Sequence, residues 1–501
     1  MEHTESKGPD KYERIRRHYL ETSPYNEAAY DSRFTACVGS NGNYGQDTIC
    51  DGFCDAVQIL LCSLMQNGDA TADSIVYPVL FCVRHSIELY LKDVYSTILY
   101  IYCAKAHRDT FVKLQKLRRV EYWISQRLEL RRGQLDPNGL SVSVDEVAVQ
   151  KSTEVLERRK TVIEARIAEL YDLCFHEAEP DVYTHDLKNL KERILNIYEA
   201  DSRIKDAFDP VLPYLAYYED IDPQGDAFRY LFSREGKPHL EKNRIQRVNL
   251  LAVGFQHEEI HKIFEELRLL LYCLRREYET GTFTKDLSRE QLKEISKMLP
   301  PPQEFADKIK AVKRELKERY QIGSNKFDSA LALIRRNREF SCNMGKELVF
   351  SHLSESTLRT FGECAAGRLD WVQASKGICS DELCLLFVFS DISGWRYMER
   401  GLAYYSEDLL FLYRNAKYEK RIAPHDLHPK EEICHVINGM RKCGQATYAA
   451  ILESYIREGD SAPCRSTKTM AGTSKIRTQV RKLKELLGRF LQNCLNALVG
   501  I

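Results

Sequence analysis

The sequence predicts a mainly α-helical protein, and two observations carry this prediction. Apolar residues recur three and four positions apart along most of the chain, which is the spacing of one helix face. Short stretches rich in glycine, proline and polar residues separate these segments. Residues 384–392, CLLFVFSDI, fit either a short strand or a buried helix, because a continuous apolar run has no periodicity.

Composition and charge exclude several classes of protein. The chain has 501 residues, of which 44% are hydrophobic and 29% charged, so it can bury sizeable cores. It contains no apolar run of the roughly 18 to 20 residues that cross a membrane, and residues 1–21 lack the apolar core of a signal peptide. The 16 cysteines include no C-x-x-C pair. We therefore expect a cytoplasmic protein with reduced thiols and no membrane partner.

The first half of the chain is organised around one predicted bundle. Residues 1–50 are predicted to form an N-terminal segment, and residues 51–296 a helical bundle that includes a long helix at 77–105. A helical hairpin of two charged amphipathic stretches is inserted at about 104–175, with GQLDPNG as its turn. Thr184 is the predicted N-cap of the amphipathic segment that follows the hairpin.

The second half is also predicted to be helical. Three prolines at 300–302 interrupt the helical pattern, so we place a domain boundary there and a second helical domain at 304–458. Residues 459–501 read as a linker and a basic amphipathic C-terminal helix, since eight Lys or Arg follow position 461 and Glu485 is the only acid. Such a tail can bind RNA, a membrane surface or a partner groove, or it can pack on the body with its basic face in water.

The segment YPVLFCVRHSIELYLKDVY, residues 77–95, combines an apolar stripe with four ionisable side chains. Residues three and four apart on a helix are neighbours, so Glu88 lies beside Arg84 and Lys92, and His85 is within reach of Glu88. Charges that are partly buried in a core cost several kcal/mol unless they find partners. The candidate partners downstream are His185, Asp186, Asp222, Arg229 and Tyr230.

Three short motifs resemble the bacterial branch of the HEPN-like helical proteins. These motifs are VRHSIELYLK at 83–92, HDLKNL at 185–190 and DPQGDAFRY at 222–230, in the order that the family has them. The resemblance covers about residues 50–280 and implies a four- or five-helix bundle that is often dimeric. Many HEPN proteins are metal-independent ribonucleases of toxin–antitoxin and anti-phage systems, so the resemblance also implies RNA or a defence-system protein as the partner.

The resemblance leads to the hypothesis of a metal-independent RNA endonuclease that needs no cofactor. The 2′-hydroxyl would attack the phosphodiester, a histidine would move protons near neutral pH, and an arginine would hold the phosphate. The predicted catalytic residues are Arg84, His85, Glu88, His185, Asp186 and Arg229. Glu88 and Asp186 would orient the other four.

Predicted RNA contacts lie at two places in the chain. The formal net charge is zero, so a nucleic-acid site must be a local patch. RRNREF at 335–340 brings three arginines within about one helix turn, although such a run also fits a solvated helix end. The predicted RNA-binding residues are Lys92, Tyr230, Arg335, Arg336 and Arg338.

The chain departs from the pattern of active HEPN ribonucleases, which place four to six residues between an arginine and a histidine. Arg84 and His85 are adjacent instead. The pairs that fit numerically, in loops, are Arg234 with His239 and Arg421 with His428. The alternative hypothesis is therefore a non-catalytic helical interaction or scaffold subunit of a defence complex. A nuclease requires the polar cluster to face solvent or a dimer groove, and a scaffold requires it to be enclosed and paired.

A third hypothesis comes from HEEIH at 257–261, which matches the zinc-protease pattern H-E-x-x-H. His257 and His261 would bind zinc, and Glu258 would act as general base. Charged residues at the intervening positions favour an exposed bundle helix instead. A second Cys/His cluster at 425–443 has spacings that match no common zinc module, so we predict no metal.

Overall fold

The structure is a computed structural model in which helices form every regular element of the described residues, as the sequence predicts. The described residues are 16, 18, 20, 36, 45–66, 71–134, 146–176, 184–219, 222, 225, 228, 229, 245–393, 404–419 and 424–456. Residues Met1–Gly52 form one unit and Phe53–Ile501 another. The predicted C-terminal helix, Tyr230, and the Arg234–His239 pair lie outside the described residues.

Helix α2 (Ala72–Ala106) follows α1 (Gln46–Gln66) and is the central element of the first half. It begins at a capping box, in which the Thr71 hydroxyl accepts a hydrogen bond from the backbone N–H of Ser74 at 3.3 Å. Its buried residues lie on more than one face, because it packs against both α5 (Leu187–Ile197) and α8 (Leu250–Glu279). The charged residues of the 77–95 segment therefore lie where several helices meet.

The two stretches predicted to form the hairpin are the helices α3 (Arg108–Gln134) and α4 (Glu146–Phe175), which pack along each other. Their shared core consists of Ile124, Leu128 and Leu156. The rest of both helices is rich in charged residues, as expected of an amphipathic pair.

Short helices connect the hairpin to α8. They are α5, α6 (Ser202–Phe208) and α7 (Leu212–Glu219), with one-turn 3₁₀ segments between them. The predicted N-cap of α5 is wrong by two residues: Asp186 caps the helix by accepting from the backbone N–H of Asn189 at 3.1 Å. The Thr184 hydroxyl accepts instead from the N–H of Asp186 at 3.2 Å, which fixes the turn before the helix.

The next four helices share one core. They are α9 (Arg289–Met298), α10 (Phe305–Arg319), α11 (Ser324–Arg336) and α12 (Arg338–Asn343). The prolines at 300–302 end α9, yet the core joins Leu292 from before them to Leu316 and Phe340 from after them. The domain division predicted at this point stays a prediction.

The final described helices share one core with α15 (Ser380–Ile392), which settles the ambiguous segment CLLFVFSDI as a helix. They are α13 (Glu355–Ala365), α14 (Trp371–Ala374), α16 (Leu409–Glu419), α17 (Pro429–Lys442) and α18 (Ala446–Glu453). Residues on every face of α15 are buried, and a helix that is covered all round has no amphipathic period to read. Gly439 of α17 lets the two backbones meet, since a Cβ there would lie 1.8 Å from the Phe389 carbonyl oxygen.

Within the described part of the chain, none of the helices has the length and apolar character needed to cross a lipid bilayer.

Candidate functional site

Arg84 lies in the middle of α2 and is 2% exposed. Each of its three guanidinium nitrogens has a partner inside the protein. Nη1 donates to the Glu88 carboxylate, Nη2 donates to the backbone carbonyl of His185, and Nε donates to the backbone carbonyl of Asp222 at 3.3 Å. The three motifs of the sequence therefore meet at this one side chain. We call Arg84, Glu88, Lys92, His185 and Asp222 the Arg84 cluster.

Glu88 is the acidic centre of the Arg84 cluster and is also 2% exposed. Its carboxylate accepts hydrogen bonds from Lys92 Nζ at 2.7 Å and from His185 Nδ1 at 2.8 Å, besides the bond from Arg84. Burial opposes the charged form, but these hydrogen bonds and the guanidinium charge outweigh it, so the pKa of Glu88 lies below its ordinary value. Glu88 is therefore a carboxylate at neutral pH, enclosed and fully partnered.

Gly225 packs its backbone against the Arg84 guanidinium. Its φ is +81°, and a Cβ at this position would lie 3.3 Å from Cζ of Arg84. Only glycine combines this backbone conformation with so close an approach. The close contact with Arg84 explains the glycine in DPQGDAFRY. Sequence reasoning missed this contact, because Arg84 lies 141 positions earlier in the chain.

We expect Gly225→Ala to lower the free energy of unfolding by about 1–3 kcal/mol, because the added methyl group meets the guanidinium and the backbone is strained. Urea unfolding measures this loss. Gly377→Ala is the matched control, since its Cβ would have no neighbour within 4 Å and its φ is not positive. An equal loss for the two substitutions would show that the contact between Gly225 and Arg84 does not contribute to the free energy of unfolding.

His185 is the open side of the Arg84 cluster. Its side chain is 64% exposed, while its Nδ1 lies on the buried Glu88 carboxylate. A carboxylate that holds one imidazole nitrogen fixes the orientation of the ring. Among the predicted catalytic residues that the structure brings together, His185 is the one that a dissolved substrate can reach.

His85 lies outside this set. Its ring stacks on Phe81 at a centroid distance of 5.6 Å and meets the edge of Phe53 at 4.5 Å. Burial lowers its pKa, and the nearby Glu88 charge opposes this only in part. The structure therefore places His85 in an aromatic contact between α1 and α2, although sequence spacing puts it within reach of Glu88.

The remaining predicted site residues are Asp186, Arg229 and the three arginines of RRNREF. Asp186 caps α5, and Arg229 is an exposed turn residue beside the buried Phe228. Of the three arginines of RRNREF, Arg335 and Arg336 are exposed and Arg338 is half-buried, and the guanidinium groups of Arg335 and Arg338 lie over different rings. The two contacts are Arg335 with Phe305 at 4.5 Å and Arg338 with Phe350 at 5.4 Å.

The histidines of HEEIH both point at α2. His257 is buried, and its Nε2 lies 3.1 Å from the Ser86 hydroxyl. His261 Nδ1 lies 2.5 Å from the hydroxyl of Tyr90. Among the described residues no group of three His, Cys, Asp or Glu is placed to hold a metal ion. The spacing of one helix turn therefore serves the packing of α8 on α2.

Two further ionic clusters were missed by sequence reasoning. Arg203 bridges Asp201 at 2.8 Å, Glu277 at 2.9 Å and Glu290 at 2.9 Å. Arg289 bridges Glu339 at 2.7 Å and Glu407 at 2.9 Å. Most of these partners lie tens of residues apart in sequence, so no local spacing rule finds them.

Comparison of the chain with family models, with curated proteins and with solved structures finds no match. The likeness to the HEPN-like proteins rests on the three motifs alone, and the family assignment stays a prediction.

Proposed function

We propose that the protein is a non-catalytic helical interaction subunit of a bacterial defence system, in which the Arg84 cluster stabilises the fold. The observation that supports this proposal is the enclosure of the cluster: Arg84 and Glu88 are each 2% exposed, and every guanidinium nitrogen of Arg84 is bonded within the protein. An arginine that stabilises a transition state must direct its donors at the substrate phosphate. Arg84 is enclosed, and each of its guanidinium nitrogens donates to a partner inside the protein instead.

The cost of freeing Arg84 for a substrate also supports a structural role. To bind a phosphate, Arg84 would have to leave Glu88 and the two carbonyls, which would remain buried without it. Removing one partner of a buried ion pair costs about 3–5 kcal/mol. The cluster instead joins α2 to the start of α5 and to the segment around Asp222 and Gly225.

A second candidate function is the metal-independent RNA endonuclease, and the exposed His185 favours it. His185 has one ring nitrogen on a buried carboxylate and most of its ring in solvent, which suits general acid–base chemistry. In this model His185 moves the protons, Glu88 orients it, and the exposed Arg229 supplies the phosphate contact. A homodimer would bring two such histidines to one RNA.

Incubation of the purified full chain with total RNA in EDTA separates the two functions. We expect no cleavage beyond that of a His185→Ala variant. This variant keeps the His185 backbone carbonyl that accepts from Arg84, and it removes the hydrogen bond from the ring to Glu88, which retains Arg84 and Lys92 as donors. Lys188→Ala, an exposed change on α5, is the matched control.

Cleavage by the wild type that disappears in His185→Ala, persists in Lys188→Ala and leaves the melting temperature unchanged would establish the nuclease and reject our proposal.

A further inference from the structure

A groove of ≈810 Å³ lies between α3 and α16. One wall comes from α3, where Arg119, Trp123 and Arg127 are four residues apart and so share a helix face. The other wall comes from α16, through residues such as Phe411 and Arg414. We call this the Trp123 groove.

The groove presents apolar surface to solvent. Val120 of α3 is 43% exposed and Leu410 of α16 is 36% exposed, and both line it. Tyr122, which is 47% exposed, adds a ring 5.6 Å from that of Phe411. A contiguous apolar patch with polar residues at its edge marks an interaction site.

The groove is also basic. Among the lining residues that the structure describes, four are Arg or Lys and Glu407 is acidic. Glu407 is neutralised by Arg289 at 2.9 Å. Arg119 and Lys417 have carboxylate partners in Asp408 and Asp381. Arg414 is exposed at the rim, and its positive charge favours a ligand with negative charge.

We infer that the Trp123 groove binds an amphipathic helix with acidic residues, supplied by a protein partner. A groove between two helices that exposes apolar side chains can receive an amphipathic helix through its residues i, i+3, i+4 and i+7. The basic rim would face the acidic residues between those anchors. This inference rests on the proposed function and names the chemistry of its partner.

Other occupants fit the groove less well. The chain's own C-terminal segment 461–501 has eight Lys or Arg and one acid, so its charge repels the rim. Single-stranded RNA needs open aromatic faces for stacking. The Arg127 guanidinium already covers one face of Trp123, at 3.2 Å from the ring centroid. Two of the basic residues are held by carboxylates, which leaves fewer phosphate contacts.

A displayed peptide library tests the inference. Each peptide has fixed leucines at the four anchor positions and random residues elsewhere, and the full chain is the target. We expect enriched peptides to carry acidic residues at the random positions. For a synthetic peptide of this kind, Arg414→Glu should raise the dissociation constant about tenfold or more, and lysines in the peptide should restore binding to that variant. Arg314→Glu, an exposed change on α10, should have no effect.

Several outcomes overturn the inference. They are the absence of enriched peptides, the enrichment of basic or neutral peptides, and a peptide dissociation constant that Arg414→Glu leaves unchanged. If oligouridylate displaced the peptide, and if its own binding were lost in Arg414→Glu, the groove would be assigned to RNA. If the peptides fail and no His185-dependent RNA cleavage occurs in EDTA, only the docking surface is rejected. His185-dependent cleavage in EDTA rejects the proposed function, whatever the result with the peptides.

Discussion

Arg84→Ala is expected to lower the free energy of unfolding by about 3–5 kcal/mol, since a buried carboxylate loses its guanidinium partner. Glu88 would remain enclosed with Lys92 and His185 as its donors, and the carbonyls of His185 and Asp222 would lose theirs. The missing side chain would also leave a cavity beside Gly225. Urea unfolding at neutral pH measures the loss.

Neutral pH suits the unfolding experiment because of the ionisation of Glu88. Because its pKa in the folded protein lies below the ordinary value, its stabilising contribution is complete at neutral pH and is lost as the pH falls through the lowered pKa. Arg336→Ala provides the control, because Arg336 is exposed and surface changes usually stay within about 0.5 kcal/mol. Equal stability of the two variants would mean that the Arg84 cluster does not support the fold.

Arg289→Ala should have an effect of similar size, about 3–5 kcal/mol, in a different part of the chain. Arg289 is 5% exposed, and its guanidinium lies between the rings of Phe340 at 4.9 Å and Tyr405 at 4.7 Å. It also neutralises Glu339 and Glu407. Burial raises the cost of charging Glu407, but the guanidinium more than offsets it and keeps the pKa of Glu407 below its ordinary value.

Lys293→Ala is the matched control for Arg289→Ala. Lys293 contacts the same Glu339 carboxylate at 2.6 Å, but its side chain is 40% exposed. Solvent weakens such a pair, so we expect a loss of about 1 kcal/mol or less. If thermal and urea unfolding gave the same loss for both variants, burial would not be what makes Arg289 important.

Local rules predicted much of the Arg84 cluster. The spacing of four residues on α2 placed Glu88 between Arg84 and Lys92, and the structure has both ion pairs. The cost of burying these charges indicated partners downstream, among them His185 and Asp222. Helix periodicity likewise located the hairpin of α3 and α4.

The details that decide function could not be read from the sequence. Residue spacing cannot predict that Arg84 donates a hydrogen bond to the backbone carbonyl of His185, while the His185 ring donates to Glu88. It placed His85 near Glu88, but it could not show that the His85 ring stacks on Phe81 and meets the edge of Phe53. Arg289 and Glu407 lie 118 positions apart, so only the packing of the second half brings them together. Sequence spacing allows several partners for one side chain, and the tertiary packing determines which of them it contacts.

The central claim is that Arg84 is enclosed and bonded within the protein, unlike an arginine that receives substrate. Reaction of the native full chain with phenylglyoxal, followed by mass spectrometry, measures this for each arginine. We expect Arg84 to stay unmodified while the exposed Arg314 and Arg336 react, and all three to react in urea. Modification of native Arg84 at the rate of Arg314 would contradict the claim.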